Sequence, residues 1–126
     1  MKTHTILYVK DQKQAYEFYK TVLKTEAILN VPGMSEFQLS QEHILGLMPE
    51  IGIKRLLGKT LIDPSKGSGI PRAELYFYVD NPNEYFDRAI KSGAKELSKL
   101  ELRNWGDHAA YVQDLDGHVL AFAIRK

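Results

Sequence analysis

The chain has 126 residues, 44% of them hydrophobic and 26% charged, and it contains no cysteine. These fractions are ordinary for a globular protein, and the length matches one domain with a buried core. With 17 Lys and Arg against 16 Asp and Glu, the charge gives no electrostatic case for a nucleic-acid or membrane partner. The lack of cysteine excludes disulfides and thiolate metal sites. Together with an N-terminal apolar run too short for a signal peptide, it predicts a cytoplasmic protein.

The first half is predicted to be a strand, a helix and three further strands. The opening strand starts at His4, and its residues alternate in character up to Val9. Asp11 is suited to cap a helix over residues 12–24, in which apolar side chains recur on one face. Three shorter strand candidates follow, near residues 26–30, 35–40 and 43–48.

The central segment, residues 49–71, contains many Gly and Pro residues. Most of it is therefore predicted to be loop, with a short helix in IGIKRLLGK. Loops of this length in a small domain are often functional or mobile. The segment separates a first module of about residues 1–48 from a second of about residues 72–126.

The second half repeats the pattern of the first. ELYFYVDN, from Glu74, aligns without a gap with HTILYVKD, from His4, at an offset of 70 residues. Asp80 or Asn81 is predicted to cap the second helix, with Pro82 in its first turn. Three strand candidates again follow, near residues 95–102, 108–113 and 118–124. The sequence therefore predicts two tandem βαβββ modules.

The chain closes on DLDGHVLAFAIRK, which is predicted to be a turn at residues 114–117 followed by a strand. One face of this strand carries the bulky Leu120 and Phe122, and the other carries the small Ala121 and Ala123. The small face is predicted to leave space for a ligand.

Paired βαβββ modules of this length, with the opening HTILYVKD and the close DLDGHVLAF, resemble the vicinal oxygen chelate superfamily. That superfamily includes glyoxalase I, extradiol dioxygenases and bleomycin-resistance proteins. The resemblance covers nearly the whole chain. It implies a single α+β domain in which the two modules form a curved, half-barrel-like mixed sheet with helices outside, and it implies a homodimer. It does not imply one function.

In metal-dependent members of this superfamily, four strand positions converge on a divalent ion. Carried onto this chain, those positions are His4, Gly46, Glu74 and Ala121. Glycine and alanine offer no ligand, whereas a catalytic ion usually has three protein ligands. The resemblance therefore favours no metal cofactor. A site for Mn, Fe, Ni or Zn would need His4, Glu74 and a further acid, for which Glu36 and Glu42 are the nearest candidates in the first half.

His4 and Glu74 are each open to two interpretations. Each begins a strand, so each is either a solvated strand end or a side chain that faces a cavity on the inward surface. If the two face each other, they form either a salt bridge in place of the metal or a general acid–base pair. The salt bridge is the simpler of these arrangements.

Aromatic side chains share the inward face with these two residues. Tyr8, Tyr76 and Tyr78 have the same strand parity as His4 and Glu74. With small residues at Gly46 and Ala121 leaving space, this face is suited to a flat or cationic organic molecule. Alternatively, the tyrosines only fill the interior of the sheet.

The segment RNWGDH contains the only tryptophan of the chain. Similar segments occur before the penultimate strand in bleomycin-resistance-like proteins. This resemblance implies that Trp105 stacks on a ligand and that Arg103 pairs with an anionic group of it. Alternatively, Trp105 covers the open end of the sheet and Asp107 only shapes the turn.

Two functions of different classes remain open at this point. The first is a metal-independent protein, similar to the bleomycin-resistance proteins, that sequesters a small aromatic or cationic compound such as an antibiotic. Its predicted ligand-binding residues are His4, Tyr8, Glu74, Tyr76, Tyr78, Arg103 and Trp105. The second is a divalent-metal-dependent lyase or dioxygenase that uses His4 and Glu74. A metal-free enzyme with His4 and Glu74 as acid and base is a third, and the sequence assigns no catalytic residue.

Overall fold

The computed structural model describes residues 1–125, and Lys126, the last residue of the predicted second module, lies outside the described residues. The chain divides into two compact units. The first contains residues 1–20 and 24–68, and the second contains residues 21–23 and the chain from Gly69 onward. Each unit holds one four-stranded mixed sheet.

The first sheet is built from the strands of the first half. Its elements are β1 (Thr3–Val9), α1 (Gln12–Leu23), β2 (Leu29–Val31), β3 (Met34–Ser40) and β4 (His43–Pro49). The strand order is β1-β4-β3-β2, in which β1 and β4 are parallel and the other neighbours antiparallel. The helix after β1 allows this parallel pairing, since parallel neighbours need a crossover connection.

The segment between the two sheets is more regular than expected. It contains α2 (Glu50–Leu57) and two 3₁₀ turns, Gly58–Thr60 and Pro64–Gly67. The prediction of a helix in it is confirmed, but the prediction that most of the segment is loop was wrong. The Lys54 ammonium holds the end of α2 by donating to the carbonyls of Gly58, at 2.9 Å, and Leu61.

The second sheet repeats the first. Its elements are β5 (Glu74–Tyr78), α3 (Pro82–Lys91), β6 (Lys95–Leu102), β7 (Asp107–Gln113) and β8 (Val119–Arg125). The order is β5-β8-β7-β6, with β5 and β8 parallel. The α+β prediction of two tandem βαβββ modules is confirmed.

Helix α1 forms where the sequence predicts it. The Asp11 carboxylate accepts the backbone N–H of Gln14 at 2.9 Å, which caps the first turn. The predicted apolar face is buried, with Phe18 2% and Val22 0% exposed. The Tyr16 ring stacks on Phe37 of β3 at 5.9 Å between ring centroids. This contact shows which face of the first sheet the helix covers.

The bulky face of β8 is the core of the second unit. Leu120 and Phe122 are fully buried. The Phe122 ring stacks on Phe77 of β5 at 5.8 Å and lies 5.5 Å from the Tyr85 ring of α3. Burying such side chains contributes on the order of 1.5–3 kcal/mol each, so this strand anchors α3 to the sheet.

The predicted turn before β8 is confirmed. One oxygen of the Asp114 carboxylate accepts the backbone N–H groups of Asp116, at 2.9 Å, and His118, at 2.8 Å. Gly117 closes the turn with a φ of 99°. A Cβ added to Gly117 would lie 2.5 Å from the carbonyl carbon of Gly69, so a glycine is required for close approach as well as for conformation.

Replacing this glycine tests the backbone contact. Gly106 has nearly the same φ, 100°, but a Cβ there meets nothing within 4 Å. We expect Gly106→Ala to lower the free energy of unfolding by about 1–2 kcal/mol through backbone strain alone. Gly117→Ala should cost roughly 1–3 kcal/mol more because of overpacking. Urea denaturation measures both, and equal losses would contradict the close contact with Gly69.

Candidate functional site

Each sheet has one face that packs on its helix and one that does not, which we call the open face. In the first unit the open face carries His4, Ile6 and Tyr8 of β1, because the helix covers the opposite face. Tyr8 is partly buried on this face. Ile6 pairs with Gly46 of β4, which in turn pairs with Glu36 of β3.

The predicted space at Gly46 is already occupied. Gly46 is buried, and a Cβ added there would lie 3.1 Å from the Met34 sulfur and 3.2 Å from Cγ1 of Ile6. The absence of a side chain therefore leaves room for Met34 and Ile6 beside this position. An acidic side chain at this position would have to displace both of them.

His4 has a carboxylate partner on its own sheet. Its Nδ1 lies 3.6 Å from Oε2 of Glu36, and the two side chains are 39% and 18% exposed. The contact is an ion pair when the imidazole is protonated. The predicted pairing of His4 with Glu74 joins residues of different units and stays a prediction.

The open face of the second unit is aromatic. Along β5 it carries Glu74, Tyr76 and Tyr78. In the pairing register Ala121 of β8 stands between Tyr76 and Tyr111 of β7. Ala121 is fully buried, so the predicted space beside it is not open to solvent.

A buried carboxylate organises this face. Asp107, the first residue of β7, is 0% exposed. The hydroxyls of Tyr76 and Tyr78 each donate to its Oδ2 at 2.7 Å, and Nε of Arg125 donates to Oδ1 at 2.8 Å. Arg125 also donates to the Tyr78 oxygen at 2.9 Å. We call Asp107, Tyr76, Tyr78, Arg125 and the attached Trp105 the Asp107 cluster.

The ionisation of this cluster follows from its hydrogen bonds. The bond from Tyr78, followed by those from Arg125 and Tyr76, lowers the pKa of Asp107 to about 2. Donation to Asp107 raises the pKa of Tyr78, and burial raises the pKa of Tyr76. At neutral pH the carboxylate is therefore charged, and both phenols are protonated donors.

Trp105 joins the cluster from the turn between β6 and β7. Its indole Nε1–H donates to the Tyr76 oxygen at 2.9 Å, while the residue stays 50% exposed. The turn is closed by hydrogen bonds from the Gly106 N–H to the Arg103 carbonyl, at 3.0 Å, and from the Arg103 N–H to the Asp107 carbonyl, at 2.8 Å. The ring is thus both held in place and accessible.

The Arg103 guanidinium is engaged within the sheet. It donates to the Ala109 carbonyl at 2.8 Å, to the Ser98 hydroxyl at 2.8 Å and to the Glu101 carboxylate at 2.7 Å. It also lies over the Tyr111 ring at 5.1 Å. An anionic ligand group, as predicted for Arg103, would have to compete with these contacts.

Sequence reasoning missed three residues of this face, namely Asp107, Tyr111 and Arg125. Asp107 was interpreted only as shaping the turn. Its strand parity with Ala109 and Tyr111 was a signal that it shares their face. The pairing of Asp107 with Arg125 depends on the β7–β8 register, which no local pattern reveals.

The donors present do not fit the divalent metal site of the alternative prediction. Within residues 1–125 there is no group of three or more His, Asp or Glu side chains that could hold a metal ion. On the open faces, His4 and Glu36 contact each other, and both oxygens of Asp107 accept hydrogen bonds from neighbouring side chains. For Mn, Fe, Ni or Zn, the contacting pair of His4 and Glu36 supplies two ligands, fewer than the three of a usual catalytic site.

The low pKa of Asp107 predicts an acid-sensitive structure. Because the pKa falls from 3.8 to about 2 on folding, its stabilising contribution is complete above the unfolded pKa and disappears as the pH falls through about 2. Urea midpoints of the parent should therefore fall across this range. Asp107→Asn should remove this part of the pH dependence, and parallel midpoint curves for the two proteins would contradict the assignment.

Solved structures of similar fold cover nearly the whole chain. A glyoxalase-related enzyme from Fulvimarina pelagi superimposes with a TM-score of 0.81 at 18% identity, covering 99% of this chain and 88% of its own. An Agrobacterium tumefaciens protein solved by NMR gives 0.74 at 26% identity, covering 100% and 98%. A lactoylglutathione lyase from the same organism gives 0.71 at 20% identity, covering 98% and 92%.

None of the helices in residues 1–125 has the length and apolar character needed to cross a membrane.

Sequence comparison identifies the family. No curated protein matches this chain significantly. The sequence model of the Glyoxalase/Bleomycin resistance protein/Dioxygenase superfamily matches residues 3–122. Since this match spans nearly the whole sequence, the chain belongs to the Glyoxalase/Bleomycin resistance protein/Dioxygenase superfamily.

Proposed function

We propose that the protein binds a flat aromatic small molecule on the open face of its second unit and needs no metal ion to do so. The observation that carries the proposal is the half-exposed Trp105 ring, which is held within the Asp107 cluster by its hydrogen bond to Tyr76. The cluster would supply the binding surface, and the superfamily provides precedents for sequestration of a compound such as an antibiotic.

The indole is suited to stacking because its polar atom is already satisfied. Its N–H is donated to Tyr76, so a ligand needs to offer only a π-face. A ring that is fixed before binding loses less conformational entropy on binding. Stacking of two aromatic rings contributes about 0.5–1.5 kcal/mol beyond burial, which is enough to select planar ligands.

The contacts support an aromatic ligand more than a cationic one. A cation would need free aromatic faces around it. The Tyr78 ring already carries the Arg125 guanidinium at 5.5 Å, and the Tyr111 ring carries that of Arg103 at 5.1 Å. The proposal therefore keeps the aromatic part of the sequence prediction.

Other predictions about the protein accompany this proposal. We retain the cytoplasmic location and the homodimer as predictions, the second because members of the superfamily often form dimers. Glu74 and Arg103 of the second unit also remain proposed contacts of this ligand, whereas ligand contact by His4 and Tyr8 of the first unit stays a prediction. The metal-dependent lyase or dioxygenase becomes an outcome of the tests, since the donors within residues 1–125 do not favour it.

Acridine is a suitable first probe because it is flat and uncharged at mildly alkaline pH, and 9-aminoacridine is its cationic counterpart. We expect acridine to bind the protein in equilibrium dialysis, and 9-aminoacridine to bind more weakly. Trp105→Ala should weaken acridine binding by about 3- to 10-fold, the loss of one stacked pair. Trp105→Phe, which keeps a ring, should lose less.

Leu102→Ala is the matched control. Leu102, the last residue of β6, is 64% exposed, but its pairing with His108 places it on the opposite face of the sheet. This variant should bind acridine like the parent. Absence of acridine binding, or equal losses in the Leu102 and Trp105 variants, would overturn the proposed function.

A further inference from the structure

We infer that Asp107 is a positioning residue that fixes the Trp105 ring through the hydroxyl of Tyr76. The inference rests on the proposed function, because it explains how the ligand-stacking ring is held. Asp107 lies two positions after Trp105 in the sequence. It would affect ligand affinity through Tyr76, whose hydroxyl is hydrogen-bonded to both residues. The three residues form one chain of hydrogen bonds, Trp105 to Tyr76 to Asp107.

The direction of this chain follows from the protons available. A phenol has one proton, and that of Tyr76 is donated to Asp107 at 2.7 Å. An oxygen lone pair of Tyr76 is then left to accept the indole N–H at 2.9 Å. Donation to a charged acceptor strengthens the same oxygen as an acceptor. The carboxylate therefore orients the Tyr76 hydroxyl and strengthens its hold on Trp105.

Trp105 needs this hydrogen bond because its surroundings restrict the rotation of its side chain little. It sits in the turn before β7 and is 50% exposed. The backbone hydrogen bonds of the turn fix the position of its Cα but not its side-chain torsions. An exposed side chain that is free to rotate loses rotamer entropy when a ligand binds. The Tyr76 bond removes part of this freedom in advance.

Asp107 is itself rigid enough to act as an anchor. It is fully buried, and both of its oxygens are engaged. Tyr78 and Tyr76 share one oxygen, and Arg125 binds the other and neutralises the charge. A buried carboxylate is tolerated only when it is paired and hydrogen-bonded in this way. Its geometry is therefore fixed from two sides.

The experiment uses the single tryptophan of the chain as its reporter. In the full-length, ligand-free protein, fluorescence anisotropy decay measures the local motion of the Trp105 ring. Tyr76→Phe removes the link and should increase this motion. Asp107→Asn should increase it less, because its amide oxygen can still accept the Tyr76 hydroxyl but lacks the charge that strengthens this bond.

Tyr78→Phe is the matched control for these variants. It also removes one hydrogen bond to Asp107, but it leaves the bond between Tyr76 and Trp105. The local motion of Trp105 in this variant should remain that of the parent. A purely structural role of the cluster would instead make Tyr76→Phe and Tyr78→Phe behave alike.

Acridine affinity gives the second readout. Loss of the Tyr76 hydroxyl should weaken binding by about 3- to 10-fold, the value of one net hydrogen bond. Unchanged Trp105 motion in Tyr76→Phe overturns the positioning role. This holds whether or not acridine binds, and whether or not Asp107→Asn folds. Failure of the parent to bind acridine overturns the proposed function instead, while the anisotropy still decides whether Asp107 positions Trp105.

Discussion

The buried carboxylate of Asp107 is the constraint on which the candidate site depends. A charge removed from water must be surrounded by donors, and here Tyr76, Tyr78 and Arg125 supply them. Two of those donors are tyrosines of the open face, so satisfying the charge also orients their aromatic rings. The half-exposed Trp105 is attached to the same network. The side chains that satisfy the buried charge are thus also those that we propose to bind the ligand.

The small residues of the central strands have a structural explanation. Gly46 leaves room for Met34 and Ile6 beside its backbone, and Ala121 is fully buried between two tyrosine-bearing positions. The function we propose therefore depends on the exposed edge of the aromatic cluster rather than on open space beside these two residues.

Local patterns predicted the fold well and the site incompletely. Alternation along β5 and β8 and the cap at Asp11 depend on neighbours in sequence, so the strands and helices could be predicted. The contact of His4 with Glu36 and the pairing of Asp107 with Arg125 depend on strand order and register. Such contacts between distant residues leave no trace in a single sequence. Aromatic residues on the open face were predictable, but the charge that organises them was not.

Metal content is the measurement that tests the central claim of metal-independent binding most directly. The protein would be purified without chelators or a histidine tag and offered Mn²⁺, Fe²⁺, Ni²⁺ and Zn²⁺ in turn, with acridine affinity measured before and after chelation. The account predicts far less than one metal ion per chain and the same acridine affinity in both states. Near-stoichiometric metal that is lost in His4→Ala and Glu36→Ala, together with acridine binding that requires it, would contradict the account.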